Sequence, residues 1–111
     1  MASRKETEEL FEKARKEFGQ VHILVNNAAI CLGMRVDELS IEQFARTMDI
    51  NFISYVHLCM LFLKQKEIKG APKHRFHIVN VSSIAGHMTC SRNSDYSASK
   101  FALTGFADAL R

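Results

Sequence analysis

The sequence predicts an α/β fold, a partial doubly wound parallel sheet in the order helix-strand-helix-strand-helix. Three observations carry that expectation. Two short apolar runs, Val21–Val25 and Phe76–Val81, are too brief for helices and rich in branched residues. Between them lies a long stretch of helical periodicity, and a strand-helix-strand order joins parallel neighbours through a right-handed crossover. Each run is followed by a polar cluster, the place where ligands bind in open α/β sheets.

The elements follow in order. Ser3 with Glu6 has capping-box spacing, and Leu10, Phe11, Ala14 and Phe18 then recur at helical intervals. Arg4 to Phe18 is therefore an amphipathic helix, stopped by Gly19. Val21–Val25 is expected to be a strand buried on both faces, as parallel strands usually are. Residues 27 to 39 form a loop. Ser40 with Gln43 is a second capping box, opening a helix that reaches about Lys66, with Asn51 an unfavourable residue inside it. Lys64 to Arg75 holds Gly70 and the single proline, Pro72, and is a connection. Phe76–Val81 is the second buried strand. Ser82 to Ser94 is a loop, and Asn93-Ser94-Asp95 offers caps for a last helix running to Arg111.

Composition bounds the function without naming it. At 111 residues the chain makes one domain at most, and 47% hydrophobic residues argue against disorder. A formal charge of +3, from 15 Lys+Arg and 12 Asp+Glu, is too small and scattered to imply nucleic acid. The longest apolar stretch, Leu58 to Leu63, is far short of a bilayer span, and no secretory leader is legible. Three cysteines without a C-x-x-C spacing suggest a reducing intracellular compartment rather than a disulfide framework. His74 and His77 lack a third ligand nearby, so no metal site is expected. Lys64, Lys66, Lys69, Lys73 and Arg75 read as a solvated basic loop.

Chemistry is written at the two strand ends. Asn26-Asn27-Ala28-Ala29-Ile30 follows the first strand and Ser82-Ser83-Ile84-Ala85-Gly86 the second. Thirteen residues beyond Ser83 stands Tyr96, with Lys100 one helical turn further on the same face. A tyrosine exchanges protons usefully near neutrality only if its pKa falls, which a neighbouring ammonium achieves. Ser83 can then hydrogen-bond an oxygen that gains or loses charge. A lone tyrosine-lysine pair is a weak signal, but it gains force from the Ser-Ser strand end and the Asn-Asn-Ala cluster. Cys31 and Cys90 follow the motif-bearing ends and are read as ordinary thiols at the same mouth.

These segments, together with Met48-Asp49-Ile50-Asn51 and Tyr96-Ser97-Ala98-Ser99-Lys100-Phe101-Ala102-Leu103, resemble the short-chain dehydrogenases/reductases, in order and over nearly the whole chain. The resemblance implies a Rossmann-like, NAD(P)-binding domain with Asn51, Ser83, Tyr96 and Lys100 as the catalytic tetrad. Tyr96 would be the general acid/base and Ser83 the carbonyl-oxygen partner. Lys100 would hold the nicotinamide ribose and lower the tyrosine pKa, and Asn51 would kink its helix and hold a relay water. Asn27, Ala28 and Ala29, with Tyr96 and Lys100, would line a cofactor that is NAD or NADP, the choice not being readable. The substrate would be a small-molecule carbonyl or alcohol. The tail of the motif resembles the retinol and steroid branch, and Ile30, Cys31, Leu32, Met34, Ile84, Met88 and Cys90 give an apolar mouth suited to a lipophilic compound.

Two departures from the family pattern stand out. Ala29 occupies the position of a usual glycine, tolerable where φ is negative. The family's glycine-rich turn and its last two strands are not found in these 111 residues, so a central fragment of the domain is expected, binding dinucleotide poorly by itself. Ala98, Ala102, Gly105 and Ala109 form a small-residue stripe on a helix otherwise apolar nearly all round, and Tyr55, Leu58, Cys59, Phe62 and Leu63 enrich the middle helix. The resemblance implies a homodimer through helices at about 47–66 and 95–111. A different class of expectation is an inactive truncated member that acts by pairing with a full-length homologue.

Overall fold

A computed structural model of the chain describes residues 4–65, 76–89 and 91–110. Helix α1 spans Arg4–Phe18 and ends where Gly19, at φ +81°, donates its N–H to Arg15 O at 3.0 Å. That is the left-handed stop glycine permits. Ser3 of the first capping box and Cys90 lie outside the described residues, as do 66–75 with Pro72, His74 and most of the basic run. Strand β1 covers Ile23–Asn26 and β2 covers His77–Asn80. They pair in parallel with Leu24 opposite Ile78 and Asn26 opposite Asn80. The crossover between them is helical. Helix α2, Ile41–Met48, opens with the expected capping box: Ser40 Oγ accepts from Gln43 N at 3.2 Å and Gln43 Oε1 accepts from Ser40 N at 2.9 Å. A π-helical turn, Asp49–Ile53, then leads into α3, Ser54–Gln65. The loop expected at 82–94 contains a single 3₁₀ turn, Ile84–Gly86, and α4 spans Ser94–Ala109. No described helix is long and apolar enough to cross a membrane.

The core is one cluster of Phe11, Leu24, Cys59, Phe62 and Phe76, flanked by Val21, Leu58, Leu61, Ile78 and Phe106. It draws on α1, α3, α4 and the Leu24/Ile78 side of the sheet, so the helices cover that side alone. Here the structure corrects the expectation of strands buried on both faces. Ile23 is 58% exposed, Val25 56% and Val79 45%. The apolar pattern remains that of a strand with two partners, but no described element packs against the second face. In α1, likewise, Phe11 is buried while Leu10 and Phe18 stay exposed, because α3 covers only one flank. Edge-to-face rings stiffen the core, Phe62 against Phe76 at 5.8 Å and Phe52 against Phe106 at 6.0 Å. Buried Gln65 closes its far end, taking Val21 N on Oε1 and donating Nε2 to Val21 O.

Candidate active site

The carboxyl ends of both strands open at the same rim. Asn26 is buried and donates Nδ2 to Asn80 Oδ1 at 2.7 Å, joining the two strand ends before the chain leaves the sheet. Beyond it, Asn27, Ala28 and Ala29 are exposed on a loop. Among the described non-glycine residues only Arg92 has a positive φ, so Ala29 meets the condition for replacing glycine.

Asn51 lies in the π-helical turn with no exposed surface. Its amide bonds both backbone groups of Ile30, accepting from N at 2.9 Å and donating to O at 2.8 Å, and it reaches Ser99 Oγ at 3.0 Å. The loop after β1 is thereby fixed to α4 through one side chain. One turn earlier Thr47 donates to Asp95 Oδ2 at 2.7 Å, both residues being fully buried. One turn later buried Tyr55 donates its hydroxyl to Ala28 O. Burial and the neighbouring Tyr96 push the Tyr55 pKa up.

The last helix brings up the rest. Tyr96 is half-buried and Lys100 almost wholly so, its Nζ 5.6 Å from the Tyr96 ring centre and 5.9 Å from that of Tyr55. Nζ donates to Val81 O at 2.9 Å, and no ion pair among the described residues involves it. Burial pulls the Lys100 pKa down. Val81 stands two residues before Ser83, so this bond ties the tyrosine helix to the serine loop. Ser83 Oγ accepts from Ala85 N at 3.1 Å, capping the 3₁₀ turn, which leaves its hydroxyl proton to donate elsewhere. Ser82 Oγ meets Thr104 Oγ1 at 3.3 Å.

Gly86 makes the close approach possible. A Cβ there would lie 2.8 Å from Ser82 Oγ and Thr104 Oγ1 and 2.9 Å from the backbone oxygen of Lys100. The hydroxyls can swing aside, but the carbonyl cannot. Gly86→Ala should push the turn off α4 and destabilise the chain by about 1–3 kcal/mol, an overpacking cost. An unchanged thermal midpoint would show that the turn is loosely seated.

The structure thus gathers Asn51, Ser83, Tyr96 and Lys100 at one end of the sheet, with Asn27 to Ala29 on the adjoining rim. Ser99 and the Thr47–Asp95 pair belong to the same network, and so does Tyr55, which was expected to add apolar surplus to the middle helix but is, like Cys59 and Phe62, buried within the chain. Their spacing held a signal: positions 47, 51 and 55, like 95 and 99, recur by one helical turn. Ile84 and Met88 are exposed near the mouth, and Cys31, also exposed, reaches Asn93 Oδ1 at 3.4 Å. Beside them runs a mixed groove in which exposed Val36 stands among Arg35, Asp37, Thr89, Arg92 and Ser94. Arg35 is held there by Asp37 through two bonds of 2.9 Å.

Tyr96, Lys100, Ser83 and Asn51 thus stand together beyond the carboxyl end of a parallel α/β sheet. The short chain dehydrogenase family model matches residues 1–111, and the chain belongs to that family. It is 33% identical over 107 residues to epidermal retinol dehydrogenase 2 of Mus musculus, covering 96% of this chain and 33% of that protein. It is also 33% identical over 99 residues to 3-ketodihydrosphingosine reductase of Bacteroides thetaiotaomicron, covering 89% of this chain and 35% of that one. Among solved structures, 4-hydroxyisoleucine dehydrogenase complexed with NADH superposes with a TM-score of 0.89 at 27% identity, over 98% of this chain and 47% of its own. The chain spans about a third of the length of the curated relatives it matches.

Proposed function

We propose that the residues encode an NAD(P)(H)-dependent oxidoreductase that interconverts a carbonyl and a secondary alcohol, with Tyr96 as general acid/base. The observation that carries this reading is the buried Lys100 ammonium, 5.6 Å from the Tyr96 ring, with one backbone acceptor and no carboxylate partner among the described residues. Such a cation favours the phenolate of a neighbouring tyrosine. The donor set also fits the ribose end of a nicotinamide cofactor. Val81 O takes one of the three Lys100 donors, and the others suit ribose hydroxyls beside exposed Asn27, Ala28 and Ala29. Bound there, a nicotinamide supplies the acceptor or donor of the hydride.

The chain's own residues handle the proton. In the reducing direction Ser83 donates a hydrogen bond to the carbonyl oxygen, and Tyr96 gives that oxygen its proton and becomes a phenolate. Lys100 stabilises the phenolate until it is reprotonated. The Asn51 amide, engaged with Ile30 and Ser99, holds the loop after β1 against the tyrosine helix, beside which the resemblance implies a relay water. For substrate we favour a lipophilic alcohol or carbonyl. Exposed Ile84 and Met88 support it, as do relatives named for retinol and ketodihydrosphingosine. A panel of alcohols assayed with NAD and NADP tests this: the reading expects lipophilic substrates to be turned over fastest, and faster turnover of polar sugars would overturn the substrate class.

Cofactor affinity should depend on more than these residues. Pyrophosphate normally rests on backbone N–H groups of a glycine-rich turn at a helix N-terminus, and these 111 residues contain no such turn after a strand. Calorimetric titration of the 111-residue chain with NAD and NADP is expected to show binding no tighter than millimolar. Micromolar affinity would require a phosphate site elsewhere in this chain.

The other reading is association without catalysis, by pairing with a full-length homologue; separately, one observation favours a contact between copies of this chain. Met60 is 53% exposed, Phe101 46%, and Ile53, Leu63 and Leu110 are all partly bare, an apolar surface on the π-turn, α3 and α4. We place a homodimer there, the helices at about 47–66 and 95–111 packing against their copies.

A further inference from the structure

We propose, on the reading of Tyr96 and Lys100 as the reacting pair, that Tyr55 is a positioning residue for both halves of the site. Its ring seats the Lys100 ammonium, and its hydroxyl holds the Ala28 peptide at the cofactor rim. Three observations place it there. Tyr55 is 2% exposed, and its hydroxyl donates to Ala28 O. Its ring centre lies 5.9 Å from Lys100 Nζ, with the Tyr96 ring 5.6 Å away, so the ammonium lies over two aromatic rings. And Lys100, 1% exposed, has no anionic partner among the described ion pairs.

A desolvated ammonium needs compensation, or it gives up its proton. Here one carbonyl and two ring faces provide it, and the ring faces attract a cation most strongly when water is excluded. Among the described residues, the elements packed about Lys100 bring a handful of polar groups. Tyr96 shares its helix, with Asp95 at that helix's start turned to Thr47; Tyr55 comes from α3; Asn51, from the π-turn, is engaged with Ile30 and Ser99; Ser82 and Ser83 come from the loop after β2. Of these, Tyr96 is the group that exchanges the proton, so its pull on the ammonium changes through the reaction, and a constant support has to come from elsewhere. Tyr55 supplies it. Its own pKa is raised, which keeps it neutral while its neighbour ionises. One side chain thus couples the position of the ammonium to the position of Ala28, where the cofactor would lie.

The experiment reads Lys100 directly, so it can fail without the oxidoreductase reading failing. In the 111-residue chain carrying ¹³C-lysine, the Lys100 ε-carbon is followed by NMR across alkaline pH in wild type, Tyr55→Phe and Tyr55→Met. Phenylalanine keeps the ring and should leave the Lys100 midpoint in place, while Ala29 N–H exchanges faster because the Ala28 carbonyl has lost its donor. Methionine keeps bulk and burial but removes the ring, and should lower the midpoint by about one pH unit, a tenfold gain in acidity. An unmoved midpoint in folded Tyr55→Met, or an equal shift in Tyr55→Phe, would overturn the proposal. Should Tyr55→Met not fold, wild type still decides. Lys100 ε protons shifted upfield by the flanking rings, and kept so in Tyr55→Phe, support the proposal, and unshifted protons refute it.

Discussion

Replacing Tyr96 by phenylalanine in a full-length form of the protein is expected to cut turnover by about 10²–10⁴-fold, the usual worth of a positioned acid/base. Cofactor affinity should change little, because Lys100 and the Asn27–Ala29 rim remain. Steady-state rates with the best lipophilic substrate, alongside a separate cofactor titration, make the comparison. Retained turnover would remove Tyr96 from the proton step. Equal losses of turnover and cofactor affinity would mean that the ring binds rather than reacts.

The largest effect on folding is expected from Phe62→Ala. Phe62 is fully buried, lies in the core cluster and meets Phe76 edge-to-face. Its removal should cost about 3–5 kcal/mol, a large part of the stability of any domain this small. Phe101→Ala is the control. At 46% exposure its loss should stay within about 0.5 kcal/mol in dilute solution. Urea unfolding at several protein concentrations checks both. A Phe101→Ala cost that grows with concentration would mark that ring as part of the interface between copies.

Much of this fold was legible because its signals are local. Gly19 stops α1 where only a left-handed residue can, and Ser40 with Gln43 starts α2, each needing only neighbours in sequence. Tyr96 and Lys100 could be paired for the same reason, being one turn apart. What escaped depends on tertiary partners. Nothing near Tyr55 in sequence says that its hydroxyl will find the carbonyl of Ala28, twenty-seven residues away, or that its ring will face Lys100. Apolar alternation cannot reveal which flank lacks a cover, so Val21–Val25 read as a doubly buried strand although Ile23 and Val25 are open. Ser82 to Ser94 read as plain loop because the 3₁₀ turn at Ile84 is held by one serine cap and by contact with α4.

The π-helical turn at Asp49–Ile53 has a consequence for length itself. Buried Thr47, Asn51, Tyr55 and Cys59 recur every four residues. In an unbroken α-helix three such steps would drift about 120° around the axis, carrying Cys59 away from the line of Thr47. The wider turn absorbs roughly one residue's rotation and keeps all four nearly in line. The segment therefore behaves as a helix with one codon in surplus. Deleting a single residue between Asp49 and Ile53 would remove that surplus and leave an unbroken α-helix, with Tyr55, Cys59 and Phe62 on the faces they now hold and only the local seating of Asn51 changed. A one-residue gap among relatives inside those five positions would mark a helix without the surplus turn, its flanking faces unmoved, rather than a shorter loop.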